Sequence, residues 1–429
     1  MRPIWWDQAN KVEKQKNEKD PTLVWSEVSE LAELVRSGQY NWDELDLDDI
    51  NVRLKWLGLF HRGQKTPGRF MFRLRVPNGG LNSTQLRTMG NFLIDRYGEL
   101  ANGGHGCADI TSRANIQLRG IPLSDADNAV SMVNSIGLTS KMSGMDNVRN
   151  LTGSPIAGLD GNEILDTRPY TEAIQDSIAG HPEYANLPRK FNIAVDSGSG
   201  DDFAHLHIND IGLEPARNAN GNVRLMPHIG GYMSTKRCAH SFKPADFDWS
   251  IPADPNTAAE FCTAVLRVFR ENGYRGNRQK CRLIWMVEEM GLEQFKHEVA
   301  SEMGISGFEP AVPKNASRVE DQQPRDLLGI HKQTKGPDGY YWACMTVPVG
   351  RLQPSDLNSI ADLTERYSNG EVRMTAQGNI LLPNIPESMI ESFMTEPLLQ
   401  RLPLDAGPIM GTAVACTGTH PFMTRDHMI

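Results

Sequence analysis

The chain has 429 residues, 39% hydrophobic and 23% charged, with a formal net charge of −9. That length implies roughly two to four domains rather than one small core, and the composition is that of a folded globular protein. Net acidity argues against broad nucleic-acid binding, which needs a basic footprint, and no apolar run reaches the length of a bilayer span.

The N-terminus carries Trp5 and Trp6, then mixed charge that includes Glu13, Glu18 and Asp20. A signal peptide needs an apolar core there and a transit peptide avoids acids, so a cytoplasmic location is expected. The first strong pattern is Phe70-Met-Phe-Arg-Leu-Arg-Val-Pro77. It reads as a strand with Phe70, Phe72, Leu74 and Val76 on one face and Met71, Arg73 and Arg75 on the other. Pro77 and the Gly79-Gly80 pair end it. Ser83 or Thr84 is then expected to cap a helix whose Leu86, Met89, Leu93 and Tyr97 keep helical spacing up to Gly98. A second strand is expected over 110–118, with Ile116 and Leu118 inward and Arg113, Asn115 and Gln117 outward.

Three polar stretches follow. Met145-Asp-Asn-Val-Arg149-Asn150, with Gly153 and Gly158 behind it, reads as a loop that brings Arg149 near a ligand. Asn186-Leu-Pro188-Arg189-Lys190-Phe191-Asn192 enters the apolar Ile193-Ala-Val195. Arg275-Gly-Asn-Arg278-Gln-Lys280-Cys-Arg282 is strongly basic, and such a run is more often a solvated face than a site. Asp201, Asp202, His205, His207 and Asp210 invite a metal reading, with both imidazoles on one strand face, but no third ligand has the spacing a zinc site needs.

The strand–helix–strand pattern then returns near 341–386. Val347-Pro348, Arg366-Tyr367, Asn379-Ile380 and Pro386 repeat Val76-Pro77, Arg96-Tyr97, Asn115-Ile116 and Pro122 in register. The spacing slips by a few residues where copy one carries extra loop around 100–105, and an insertion costs little in a loop. The copies differ in their polar residues: Arg73, Arg75 and Arg113 become Cys344, Thr346 and Gln377. Folding therefore does not require these arginines, and they point to a multiply anionic ligand, which guanidinium forks pair well. Six cysteines, Cys107, Cys238, Cys262, Cys281, Cys344 and Cys416, show no paired spacing. The first five read as small buried hydrophobes.

Taken together, Gly68-Arg-Phe-Met-Phe-Arg-Leu-Arg-Val-Pro-Asn-Gly79, Ser143-Gly-Met-Asp-Asn-Val-Arg-Asn150, Asp166-Thr-Arg-Pro-Tyr170, Asn186-Leu-Pro-Arg-Lys-Phe-Asn192, Gly276-Asn-Arg-Gln-Lys-Cys-Arg282 and Ala415-Cys-Thr-Gly418 resemble the assimilatory ferredoxin–nitrite reductases. The resemblance runs from about residue 50 to Gly418. It implies an α+β fold of duplicated ferredoxin-like half-domains plus a sirohaem-binding α/β domain. The implied layout is an N-terminal extension over 1–50, copy one over 51–135, a sirohaem and substrate domain over 136–320, copy two over 321–400, and the start of a second haem/[4Fe–4S] domain over 401–429. It further implies an oxidoreductase for nitrate assimilation that reduces nitrite to ammonium in a six-electron step, with sirohaem and a [4Fe–4S] cluster as cofactors, ferredoxin as donor, and a monomeric state.

By similarity, Arg73, Arg149, Lys190 and Asn192 would surround nitrite, and Arg73, Arg75, Arg113, Arg149 and Arg189 would hold the carboxylate-rich macrocycle. Sister sulfite reductases tend to carry a second lysine where this chain has Asn192, which favours the monoanion nitrite over sulfite. Lys280, Arg282 and the N-terminal lysines are candidates for the basic patch that an acidic ferredoxin requires. The family's cluster takes four cysteines in two pairs. Cys416 matches the first, Phe422 stands where its partner is expected, and the resemblance stops after Gly418. The expectation is a C-terminally truncated, impaired form; the alternatives are a non-catalytic sirohaem-binding relative, a sulfite reductase, and a separate chain that supplies the missing cysteines.

Overall fold

The computed structural model describes residues 8–61, 66–233, 238–239, 241–313 and 325–413. The chain separates into two compact units, one formed by residues up to 22 together with 144–325, the other by 23–143 together with 326 onward. The stretch read from sequence as a single N-terminal extension is thus shared between them.

The second unit holds the repeat. One antiparallel sheet runs Leu59–His61, Arg69–Arg73, Asn115–Pro122, Cys107–Thr111 and then Arg351–Leu352. The other runs Gly329–Lys332, Tyr340–Met345, Ile380–Pro386, Glu371–Met374 and then Gly80–Asn82. Each copy therefore lends the short strand before its helix to the sheet of the other. The exchange depends on a sharp reversal: Asn78 and Val349 both sit at positive φ (52° and 53°), followed by Gly79 and Gly350 at 73° and 70°. A Cβ on Gly79 would lie 2.5 Å from the Met374 carbonyl oxygen, and one on Gly350 would lie 2.6 Å from that of Ile110. Only glycine allows both the turn and the approach.

The helices of the two copies, Ser83–Tyr97 and Pro354–Tyr367, pack against each other. Gly90 lets them close, since a Cβ there would meet Asn358 Oδ1 at 2.5 Å and the Pro354 carbonyl at 2.9 Å. The recurring Arg-Tyr pair has a structural reason. Arg96 and Tyr97 both donate to Asp125 at 2.6 Å, and Arg366 and Tyr367 donate to Glu396 at 2.5 and 2.6 Å.

Three sequence expectations change here. The helix cap is Asn82, whose side chain accepts from Gln85 N at 2.9 Å while Gln85 returns the bond; Ser83 is already helical. The strand read over 110–118 is a hairpin, Cys107–Thr111 and Asn115–Pro122, and Arg113 lies in its turn beside Ala114 at φ 46°. Arg75 is not outward but fully buried, because the 139–142 segment covers it: Arg75 N donates to Thr139 O at 2.8 Å and its Nη1 to Met142 O at 3.3 Å. Thr346, its counterpart, is covered the same way by Pro403, at 2.8 Å.

The first unit is built on a sheet ordered Ile251–Pro252, Val223–Ile229, Ile211–Arg217 and Ile193–Val195, the last pair parallel. Residues 148–152 extend its edge through parallel bridges from Val148 to Phe191 and from Thr152 to Ala194. Helix Pro255–Asn272, started by Asp254 accepting from Thr257 N at 2.8 Å, buries Phe261, Val265, Leu266 and Phe269 and packs on helix Arg168–Ile178. Among the described residues no helix is long and apolar enough to cross a membrane.

Candidate functional site

In the first unit the three polar stretches meet. Phe191 N donates to Asn147 O at 3.0 Å and Arg149 N to Phe191 O at 2.8 Å, so the two segments run as neighbouring extended chains. Val148 and Phe191 are fully buried on one face. Side chains alternate along extended chain, so Arg149, Lys190 and Asn192 share the opposite, half-buried face.

Buried carboxylates organise the cations behind that face. Asp146 is fully buried and accepts both Arg278 nitrogens at 2.7 Å, with Arg189 at 3.8 Å and Lys16 at 3.9 Å. Lys16 in turn pairs with the buried Glu13 at 2.5 Å, and Glu13 with Arg275 at 2.7 Å. Asp210, also fully buried, binds Arg282 at 2.5 and 3.1 Å and accepts from Asn192 N at 2.8 Å. The basic run 275–282 is thus no solvated face: Arg275, Arg278 and Arg282 are each committed to a buried acid, and only Lys280 of its cations is exposed. Lys16 and Arg282 are accordingly removed from the docking candidates. No periodicity announced Glu13, Lys16, Asp146 or Asp210; their role comes from tertiary burial.

Lys190 makes no hydrogen bond or ion pair among the described residues. Burial, then repulsion from Arg282, Arg149 and Arg189, push its ammonium down to about 8, with Asp210 opposing. Burial likewise lowers Arg189. The Asn192 side chain also makes no hydrogen bond among the described residues.

In the second unit, Arg73 lies under the Phe60 ring, 4.5 Å from its centroid, and reaches Ser143 O at 3.4 Å. With the Gln117 amide oriented to present its oxygen, that oxygen accepts from Arg73 Nε and Nη2 at 3.2 Å. Ser143 Oγ donates to Arg73 O at 2.9 Å, and a Cβ at Gly58 (φ 82°) would collide with both groups. Arg73 is therefore fixed by neutral partners, with no carboxylate beside it among the described residues. Burial lowers Arg73 and Arg75 to about 10 each. Arg113 is half-buried in its turn, its N–H on Thr111 Oγ1 at 3.3 Å.

Metal-ligand candidates fare differently. His205 is at φ 48° and opens a short turn rather than lying on a strand, Asp201 pairs with Arg325 at 2.7 Å, and Asp210 with Arg282. Among the described residues no group of three or more His, Cys, Asp or Glu is placed to hold a metal. Cys107, Cys262, Cys281 and Cys344 are buried, and burial pushes every one of these thiols up, Cys107 and Cys281 to about 12. Cys416 lies outside the described residues.

Residues 144–306 match the nitrite and sulphite reductase 4Fe-4S domain, and residues 62–135 and 332–399 each match the nitrite/sulfite reductase ferredoxin-like half domain. The chain is 42% identical over 417 residues to the ferredoxin–nitrite reductase of Synechococcus elongatus, covering 96% of this chain and 76% of that protein. It is 41% identical over 421 residues to the chloroplastic enzyme of Spinacia oleracea, covering 96% and 67%. The solved structure of the Mycobacterium tuberculosis NirA protein shares the fold, with a TM-score of 0.81 at 24% identity over 96% of this chain and 73% of that one. The duplicated half-domains and the segment between them are therefore one inheritance, and the chain belongs to the nitrite/sulfite reductase family.

Proposed function

We propose that this chain carries out the ferredoxin-dependent, six-electron reduction of nitrite to ammonium with sirohaem and a [4Fe–4S] cluster as cofactors. The observation that carries this reading is the shared face of Arg149, Lys190 and Asn192, on which the half-buried Lys190 ammonium has no hydrogen-bond or ion-pair partner among the described residues. A desolvated ammonium without a paired counter-charge costs free energy, and an anion relieves that cost.

Sirohaem fits the donor set, since its many carboxylates suit the half-buried guanidinium groups of Arg149 and Arg189. Arg73, Arg75 and Arg113 are assigned to anion recognition on separate grounds, Arg73 because only neutral groups hold it. When bound, sirohaem supplies electrons to nitrite one at a time. Arg149 attracts and orients the anion, and the uncharged Asn192 amide can donate neutral hydrogen bonds, which suits a monoanion better than a second ammonium would. Lys190 Nζ, close to its titration point at neutral pH, holds a proton and can release it to an oxygen as an N–O bond breaks. Cys107, Cys262, Cys281 and Cys344 are buried, and no metal-holding group of three or more His, Cys, Asp or Glu occurs among the described residues; Cys416 stays the proposed cluster ligand. The reading extends to a monomer in the cytoplasm.

The test is direct. Full-length protein loaded with sirohaem and cluster, given reduced ferredoxin and nitrite, is expected to form ammonium. A preference for sulfite, with sulfide as product, would overturn the assignment.

A further inference from the structure

We propose that Asp210 and Arg282 are a positioning pair that fixes the main chain of the 190–192 segment and governs the electrostatic surroundings of Lys190. The proposal rests on the reading of Lys190 as a substrate-side cation and names what keeps it there. Neither residue is placed against the substrate, so neither is a catalytic residue.

The geometry is unusually complete for one carboxylate. Asp210 Oδ2 accepts from Asn192 N at 2.8 Å and from Arg282 Nη2 at 2.5 Å, while Oδ1 accepts from Arg282 Nε at 3.1 Å. The main chain is tied on both sides: Ile211 N donates to Asn192 O at 3.1 Å, and Gly230 N donates to Asp210 O at 2.8 Å. Arg282 is held from its other face by the Tyr232 ring, 4.9 Å from the centroid. Both charges are buried, so the local dielectric screens them little. Asn192 N–H would otherwise need another acceptor on leaving water.

The pair also acts on Lys190 in opposite senses. The charged groups facing Lys190 are Arg282, Arg149 and Arg189, which disfavour its ammonium, and Asp210, which favours it. Breaking the pair would also cost stability, as for any buried ion pair, but opposite shifts at Lys190 for its two members are expected only if both lie within electrostatic reach of that amine.

That asymmetry is measurable in the full chain. Competitive acetylation across a pH series, read by mass spectrometry on the peptide that contains Lys190, reports the titration of this one amine. Asp210→Asn is expected to lower the titration point by about one unit, a tenfold rise in the neutral fraction below it, and Arg282→Gln to raise it by about one unit. No shift, or shifts of the same sign, overturns the proposal. Arg282→Lys keeps the buried charge balanced, which protects the fold if the neutral variants do not mature. It removes the fork, and hydrogen exchange at Asn192 N–H is expected to quicken about tenfold or more; unchanged exchange refutes the positioning role. Failure of the wild type to reduce nitrite would refute the function without touching these readings, and unmoved readings would refute the pair without touching the function.

Discussion

Replacing Lys190 by methionine should stabilise the cofactor-free protein while abolishing its turnover. The side chain keeps its length and loses its charge. In the folded protein, burial and then the neighbouring arginines bring the ammonium from an ordinary lysine's 10.5 down to about 8. At 1.36 kcal/mol per unit, holding Lys190 protonated costs the fold roughly 3 kcal/mol. The sign follows from linkage. Below about pH 8 the lysine is charged in both folded and unfolded chains, and the full penalty applies. Between pH 8 and 10.5 the folded chain has shed the proton and the unfolded chain has not, so the penalty fades. Denaturant unfolding of apo wild type and Lys190→Met, at pH 7 and again near pH 10.5, should therefore show a stabilised variant at pH 7 and a gap that closes with alkali. Equal stabilities at pH 7, or a gap that ignores pH, would refute the argument that Lys190 is an uncompensated cation.

Asp146→Asn removes one partner of a fully buried bidentate pair and leaves Arg278, Arg189 and Lys16 facing an amide; a loss of about 3–5 kcal/mol is expected in denaturant unfolding. Gly90→Ala drives a methyl into Asn358 and the Pro354 carbonyl, and should cost about 1–3 kcal/mol, measured as a lowered unfolding midpoint of the repeat unit. Arg73→Gln should weaken binding of the anionic macrocycle in a spectral titration while leaving the far-ultraviolet circular dichroism unchanged, because only neutral groups hold Arg73; unaltered affinity would remove it from anion recognition.

The repeat was legible because its marks are local. Proline, the turn glycine (Gly79 and Gly350) and the Arg-Tyr doublet recur in register, and each proves to sit at the same turn or the same hydrogen bond in both copies. The strand exchange was not legible, since Gly80–Asn82 and Arg351–Leu352 are too short to show a period and pair with residues far away in sequence. Arg75 looked solvent-facing because alternation describes one covered face, whereas the 139–142 segment covers the second. At the site, Arg149, Lys190 and Asn192 were found as motif residues, and the structure adds why they share a face: Val148 and Phe191 take the other one. Asp210 was noticed only as a possible metal ligand and Asp146 was given no role, because a buried carboxylate has no sequence pattern of its own; its part is visible only once the basic residues that need it are seen around it. Asp146 stood in the open, next to motif residues, yet nothing local told it from a loop aspartate.

The exchanged strands also set an order on synthesis. As the chain leaves the ribosome, the first copy is finished long before the piece that closes its sheet. Arg351 binds Asp109 at 2.8 Å across a sequence separation of 242. Until that piece arrives, Cys107–Thr111 is an open edge, the kind of surface on which unfinished chains stick together. The whole of 144–325 must be made meanwhile. A stalled or shortened message ending before residue 351 would release a first copy with no partner for its edge, and its fate would be decided by chaperones rather than by its own stability.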